Sequence, residues 1–335
     1  MVELMILYTF HDLMLAVERD GPELGEHLDQ LLQDLSWMHT PARRTTPSLR
    51  LSVRLQPGRP HIPHAATEVF WADGFSGLEC DNDFYLTDGA SLLHLQASQG
   101  QGIAYLASSF GEKPALLQRH FWAFGLLKLL RPLGFYGLHA AGLASRQGLG
   151  LLIVGGSGCG KSTLAIGLAR QGWSYLSDDA VLLHPQPGEV GALACRRHWY
   201  IDAKDAPQYP DLQLGEELAN LSGGRKRRVG IAAAYPEQLV SQCIPQVLLF
   251  PRIIPHRHST LHPLDRFNAL GQLLAQSGPQ LFDRHTMAQQ LAVLKHLVQQ
   301  TASYELQAGQ DVSHDSGVLA HLLAEVAGAA QWRAS

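Results

Sequence analysis

Cysteine is scarce and unpaired in this sequence: Cys80, Cys159, Cys195 and Cys243 lie far apart with no Cys-x-x-Cys. That argues against a zinc site and against a disulfide scaffold, and fits a reducing, cytoplasmic setting. No run of about eighteen uncharged apolar residues occurs, which removes a membrane-spanning helix. Positive charge is not in excess either, with 26 Lys and Arg against 30 Asp and Glu and a formal net charge of -4. A general binder of nucleic acid or of an anionic membrane is therefore not expected. The apolar opening Met1 to Tyr8 carries Glu3 where a secretory leader would be positive, so it reads as a first strand. Internal repeats and low-complexity segments are absent, and 335 residues suffice for two ordinary domains.

Periodicity sketches the first of these domains. Leucines at 24, 28, 31, 32 and 35 recur at helical spacing after Pro22. Leu49, Leu51, Val53 and Leu55 alternate with Ser48, Arg50, Ser52 and Arg54, the period of a half-buried strand. Apolar runs at Glu68–Trp71, Phe84–Leu86, Leu92–Leu95 and Ile103–Leu106, separated by turn residues, suggest an antiparallel sheet. Residues 1–112 thus read as a small α+β domain, a candidate for substrate or partner recognition. A helix between Pro114 and Pro132 is expected to bury Leu117, Phe121, Phe124 and Leu127 and to open the second domain, 113–335. Further helices are expected near 265–276, 285–299 and 315–327, with a strand at Ser303–Leu306.

The chemistry lies in that second domain. Gly155-Gly156-Ser157-Gly158-Cys159-Gly160-Lys161-Ser162, followed by Thr163, satisfies the Walker A pattern. It follows the apolar strand Leu149–Val154 and opens a helix to about Arg170. Glycines let the backbone curl until its N–H groups face phosphate, and a helix N-terminus adds partial positive charge. ATP is the implied ligand, with Lys161 bridging the β- and γ-phosphates and the Ser162 hydroxyl on Mg²⁺. Cys159 reads as a small loop residue rather than a nucleophile.

The next strand ends in Ser177-Asp178-Asp179, at the carboxyl edge where ligands of open α/β sheets bind. One of two adjacent carboxylates can hold Mg²⁺ while the other accepts a proton from an attacking hydroxyl. A solvated surface turn is the plainer alternative. His139, in Gly137-Leu138-His139-Ala140-Ala141, is expected on a strand beside the phosphate strand; taken alone, such a histidine is more often structural.

A Leu-His-Ala segment, a Walker A loop and a strand-terminal Asp-Asp pair, in this order and spacing, resemble the catalytic domain of HPr kinase/phosphorylase over residues 134–185 and more loosely to about 310. The resemblance implies an α/β P-loop kinase domain of the HPr kinase C-terminal type, preceded by the small α+β domain. It implies ATP-dependent transfer of a phosphoryl group to a serine hydroxyl of a protein or peptide, and a homo-oligomer, since HPr kinases are hexameric. By the same resemblance Asp178 is the acid/base, Asp179 is the metal-associated acid together with Ser162, and His139 stands beside the loop; the order of the two Asp roles stays open. The Glu-Ile-Arg-Gly-Leu-Gly signature of the bifunctional enzymes is missing, with Ala194-Cys195-Arg196-Arg197-His198-Trp199 in its place. The loop reads Ser162-Thr163 where HPr kinases carry Ser-Glu. Both departures point to a divergent relative, such as the kinases that tailor lasso and related peptides, rather than to an enzyme acting on HPr or running phosphorolysis.

Gly223-Gly224-Arg225-Lys226-Arg227-Arg228 is the densest basic cluster. Arg227 or Arg228 can stabilise charge during transfer through the planar guanidinium fork, with Arg196 and Arg197 as weaker candidates; a solvated loop or a docking patch for an acidic partner fits the same residues. Leu221-Ser222-Gly223-Gly224 imitates the signature of ABC ATPases, but Val247-Leu248-Leu249-Phe250 runs into Pro251-Arg252 rather than Asp-Glu. A small-molecule hydroxyl kinase and an ABC-like nucleotide-gated module stand as the alternatives. His256, His258 and His262 match no metal-ligand spacing and read as solvated.

Overall fold

The computed structural model describes residues 4–21, 26–40, 46–55, 61–196, 198–219, 224–278 and 284–331. Arg197 and the segment Leu221 to Gly223, with most of its ABC-like signature, lie outside them. Among the described residues the fold is mixed α/β with four sheets, and the chain forms two compact units, Met1–Tyr136 with Phe282–Met287 and Gly137–Leu281 with Ala288–Ser335.

The first unit contains β1 (Leu4–Phe10), β2 (Leu13–Arg19), α1 (Glu26–Asp34), β3 (Met38–Thr40), β4 (Leu49–Leu55), β5 (Thr67–Ala72), β6 (Phe75–Cys80), β7 (Asp83–Thr87), β8 (Leu92–Gln96), β9 (Gln101–Leu106) and α2 (Ala115–Leu130). Its strands make one sheet in the order β3-β1-β2-β4-β9-β8-β7-β6-β5. The short apolar runs pair antiparallel as expected, in the meander β5-β6-β7-β8-β9, but the sheet as a whole is mixed, because β4 lies parallel to both β2 and β9. The connections into and out of β4 pass through α1 and through the β5–β8 meander, and crossovers of that length are what parallel pairing needs. The alternation of β4 holds, with Leu49, Leu51 and Val53 buried and Arg50 exposed.

Helix α2 belongs to this unit by its contacts, whereas the sequence boundary after residue 112 assigned it to the second domain. Its buried stripe is Gln118, Phe121, Trp122, Gly125, Leu126, Leu129 and Leu130, so only Phe121 of the four expected residues is buried. The helix is apolar nearly all round, which gave several stripes equal claim. Trp122 decides between them by packing edge-on to Phe110 and Phe121.

The second unit is built on β10 (Tyr136–Leu138), β11 (Ala140–Ala144), β12 (Gly150–Val154), α3 (Lys161–Arg170), β13 (Ser174–Ser177), β14 (Val181–Gln186), β15 (Glu189–Ala194), β16 (His198–Asp202), β17 (Glu217–Ala219), β18 (Arg225–Gly230) and α4 (Ile231–Ala234). It continues with β19 (Gln242–Cys243), β20 (Pro245–Ile253), β21 (Thr260–Pro263), α5 (Arg266–Ala275), α6 (Met287–Gln300), β22 (Ala302–Ala308), α7 (Asp311–His314) and α8 (Ser316–Gln331). The central sheet runs β13-β11-β12-β20-β22-β21, beside smaller sheets β10-β14-β15-β19 and β16-β18-β17.

Every residue of β11 and β12 is buried, as their unbroken apolar sequences require. Leu151, Ile153, Leu164, Leu168, Tyr175 and Leu249 belong to one core that clamps α3 to the sheet. Because β11 is antiparallel to both β12 and β13, those two strands run the same way. Their carboxyl ends and the amino end of β11 therefore meet at one edge. The loop after β12, the acids after β13 and the histidine before β11 all lie there.

Candidate active site

The loop between β12 and α3 owes its curl to left-handed backbone at Gly158 (φ +82°) and Gly160 (φ +95°), which an L side chain would strain. A Cβ at Gly156, Gly158 or Gly160 would meet no heavy atom within 4 Å, so the cradle is open on these sides. Gly160 caps α3 without a side-chain hydrogen bond, leaving first-turn N–H groups available to an anion. Cys159 packs inward: its Sγ stands 2.6 Å from where a Cβ on Gly155 would lie, as suits a filler of the loop.

Lys161 is buried, and its Nζ donates to the carbonyls of Gly155 (2.7 Å) and Gly156 (3.1 Å) and to His139 Nε2 (2.8 Å). An ammonium only donates, so Nε2 accepts and the imidazole proton sits on Nδ1. That nitrogen faces Asp179 Oδ1 at 3.4 Å. Burial, together with the Lys161 charge, pushes the His139 pKa down despite Asp179, keeping the ring neutral. His139 lies in the break between β10 and β11 rather than on a strand, and its N–H donates to the Gln276 carbonyl on the last turn of α5.

The Ser162 hydroxyl donates to Asp178 Oδ2 at 2.9 Å. The metal pair expected from the resemblance was Ser162 with Asp179, but the carboxylate that meets Ser162 is Asp178. Asp178 is 1% exposed, and its Oδ1 has no hydrogen-bond partner. Burial, then the neighbouring Asp179 charge, pushes its carboxyl up to about 7. Asp179 behaves oppositely. Burial alone would raise it, but Arg196, His139, Lys161 and Lys226 together hold it below the ordinary carboxylate range. Two adjacent acids are thus driven apart, one near neutrality and one firmly ionised, the separation that divides acid/base work from charge work.

The turn that carries them is anchored from β15. Ser177 is fully buried and its Oγ accepts from Cys195 N (3.2 Å) and Arg196 N (2.7 Å), with its own proton available to the Arg196 or Ala180 carbonyl. Asp178 N donates to Arg196 O at 3.0 Å, and Asp179 takes a left-handed φ of +63°. This pinning also delivers Arg196, whose Nη1 lies 2.9 Å from Asp179 Oδ2.

Arg196 is the functional-type residue that motif reasoning undervalued. The preferred arginines engage other partners: Arg227 reaches Glu217 (3.2 Å), and Arg228 Nη2 lies 2.6 Å from His198 Nε2. A signal existed, because Arg196 follows the apolar strand β15 by two residues, as Asp179 follows β13. Only the three-dimensional pairing makes it decisive. Thr163 follows Ser162 in the first turn of α3.

The oxygens of Ser162, Asp178 and Asp179 suit a hard cation such as Mg²⁺, and the unpartnered buried Oδ1 of Asp178 is the sort of atom a cation satisfies. Among the described residues no three His, Cys, Asp or Glu side chains cluster into a metal site by themselves. His258 instead faces Asp311 and His262 faces Thr260. Beside the loop, Pro251 of β20 comes within 3.9 Å of a Cβ position on Gly155, on the strand where an ABC ATPase carries acids.

No family model matches the chain, and no curated protein matches it. Among solved structures it is similar to the HPr(Ser) kinase/phosphatase from Coxiella burnetii, at 18% identity and a TM-score of 0.24, over 36% of this chain and 59% of that one. At that TM-score the likeness is too slight to define a family. Among the described residues no helix is long and apolar enough to cross a membrane.

Proposed function

We propose that the chain is an ATP-dependent phosphotransferase that moves the γ-phosphoryl group to a hydroxyl, a serine of a protein or peptide. The supporting observation is the meeting, at one sheet edge, of a strand–glycine loop–helix unit with a buried lysine and two carboxyl groups of divergent acidity. The loop 155–163 wraps the triphosphate. Lys161 leaves its loop carbonyls for phosphate oxygens, and His139, neutral and fixed by Gln276, holds the ammonium in register. Ser162 and Asp179 would hold Mg²⁺, which would offset phosphate charge and leave Asp178 for proton transfer. Asp178 accepts the acceptor's proton as its oxygen bonds to the γ-phosphorus and the bond to the β-bridging oxygen breaks, releasing ADP. A carboxyl near pH 7 is matched to that exchange. Asp179 stays ionised under Arg196.

Purified protein with γ-labelled ATP, Mg²⁺ and serine-containing peptides encoded beside its gene tests this. Label on a peptide serine, lost in Lys161→Ala, is expected. Label released only as inorganic phosphate would point to an ATPase, and label on a metabolite to a small-molecule kinase.

A further inference from the structure

Strand β18 presents four consecutive cations, Arg225 to Arg228, and its pairing sorts them by face. Arg225 and Arg227 both reach Glu217, at 3.0 and 3.2 Å, on the side where Trp199 and Val229 enter the core. Lys226 and Arg228 stand on the opposite side by the alternation of a strand. In the register with β16, Arg228 lies opposite Tyr200 and Lys226 opposite Asp202, and directly opposed residues point the same way. Arg196 joins this side to the acid pair, since its guanidinium lies over the Tyr200 ring (5.9 Å) while bonding Asp179. Lys226 is also near enough to favour the Asp179 anion.

We infer that this half-buried face of β16 and β18, with Lys226 and Arg228 beside Arg196, docks an acidic peptide segment flanking the acceptor serine. The inference rests on the kinase reading and names its substrate class. Charge complementarity carries it: three cations, Arg196, Lys226 and Arg228, stand against two carboxylates, Asp179 and Asp202. The phosphate loop already has Lys161 and a helix N-terminus for the nucleotide, and β18 belongs to a different sheet from β12. Lys226 and Arg228, half-buried on the face that Arg196 joins to the acid pair, then serve the other reactant, by drawing it in and fixing its register.

The test is binding of fluorescein-labelled Glu-Glu-Ser-Glu-Glu and Gln-Gln-Ser-Gln-Gln to the full chain, with Mg²⁺ and a non-hydrolysable ATP analogue, followed by transfer from ATP to each. The acidic peptide should bind about tenfold tighter at low salt, and about 0.5 M salt should remove the difference. Lys226→Gln should weaken acidic-peptide binding roughly threefold to fivefold and leave the neutral peptide unchanged. Arg225→Gln, the same charge change on the other face, should not; thermal melting checks that both variants fold. Equal binding of the two peptides, or an equal effect of the two variants, would overturn the inference. So would a Lys226→Gln variant that binds normally and slows transfer to both peptides alike, because the lysine would then serve the phosphoryl group. Acidic binding without phosphorylation would defeat the kinase reading alone, and equal transfer to both peptides the docking surface alone.

Discussion

Buried charge is handled differently in the two units. In the first, Arg19 meets Asp29, Asp34 meets Arg119 at 2.6 Å, and Glu79 meets Lys128 at 2.9 Å, so these three buried ions each have an opposite charge against them. In the second, Asp178 is as deeply buried, yet it has a serine hydroxyl on one oxygen, nothing on the other and a second carboxylate as neighbour. Paired burial is a structural arrangement whose loss costs stability. Unpaired burial at the mouth of a glycine loop is held by the surrounding fold and shifts a proton equilibrium into the working range. On the proposed kinase reading, the difference separates ions that hold the chain together from ions that would face a reactant.

Two lysines offer the sharpest way to break that distinction. Lys161→Ala should lower ATP-dependent labelling by about a thousandfold or more while melting within a few degrees of the parent. Lys128→Ala should do the reverse, leaving buried Glu79 with the exposed and more distant Arg284 (3.8 Å) as its cation, at a cost of about 2 kcal/mol in denaturant unfolding, with ATP use intact. If Lys128→Ala abolished labelling without loss of stability, the contrast between the units would fail.

Asp178→Asn should retain nucleotide binding and lose about a hundredfold or more in transfer, and the rise of the parental rate with pH through about 7 should vanish with it. The same substitution has a signature in stability. The folded carboxyl sits near 7, above its ordinary 3.8, so it binds its proton more tightly folded than unfolded. Its favourable contribution is therefore complete below about 4 and lost as pH rises through about 7. Melting at pH 5 and pH 8 should show the asparagine variant gaining on the parent at pH 8; an unchanged gap would mean that the carboxyl is not raised.

Ser177→Ala is the subtlest case. It strips two N–H groups at Cys195 and Arg196 of their acceptor, for a loss of about 2 kcal/mol. By loosening Arg196 it should also slow transfer roughly tenfold without raising the KM for ATP. A loss of stability with unchanged transfer would make Ser177 a structural anchor only.

What could be read from the sequence was local. The expected strand Leu149–Val154 and helix to Arg170 match β12 and α3, because an apolar run, a glycine turn and a helical repeat are each encoded within a few residues. The β2 strand, Leu13–Arg19, was invisible: its turn is made at His11 with a positive φ, without a glycine or proline to mark it. The insertion of β11 between β12 and β13, and the parallel seating of β4, depend on partners far along the chain. The same limit applied to the site. Lys161, Ser162 and the acids were legible as a motif, whereas the joining of Arg196 to Asp179 needs β15 to deliver one residue to the end of β13. Arg227 and Arg228 drew attention by density, a property that says nothing about which face of a strand each residue occupies.

The left-handed backbone at Asp179 also limits how this site can drift. Asparagine and glycine tolerate that conformation, whereas valine, isoleucine or threonine would carry about 1–2 kcal/mol of strain before any question of charge arose. Random change at the position is thus filtered first by shape, and the substitutions that pass are those that erase or mimic the carboxylate without disturbing its neighbour.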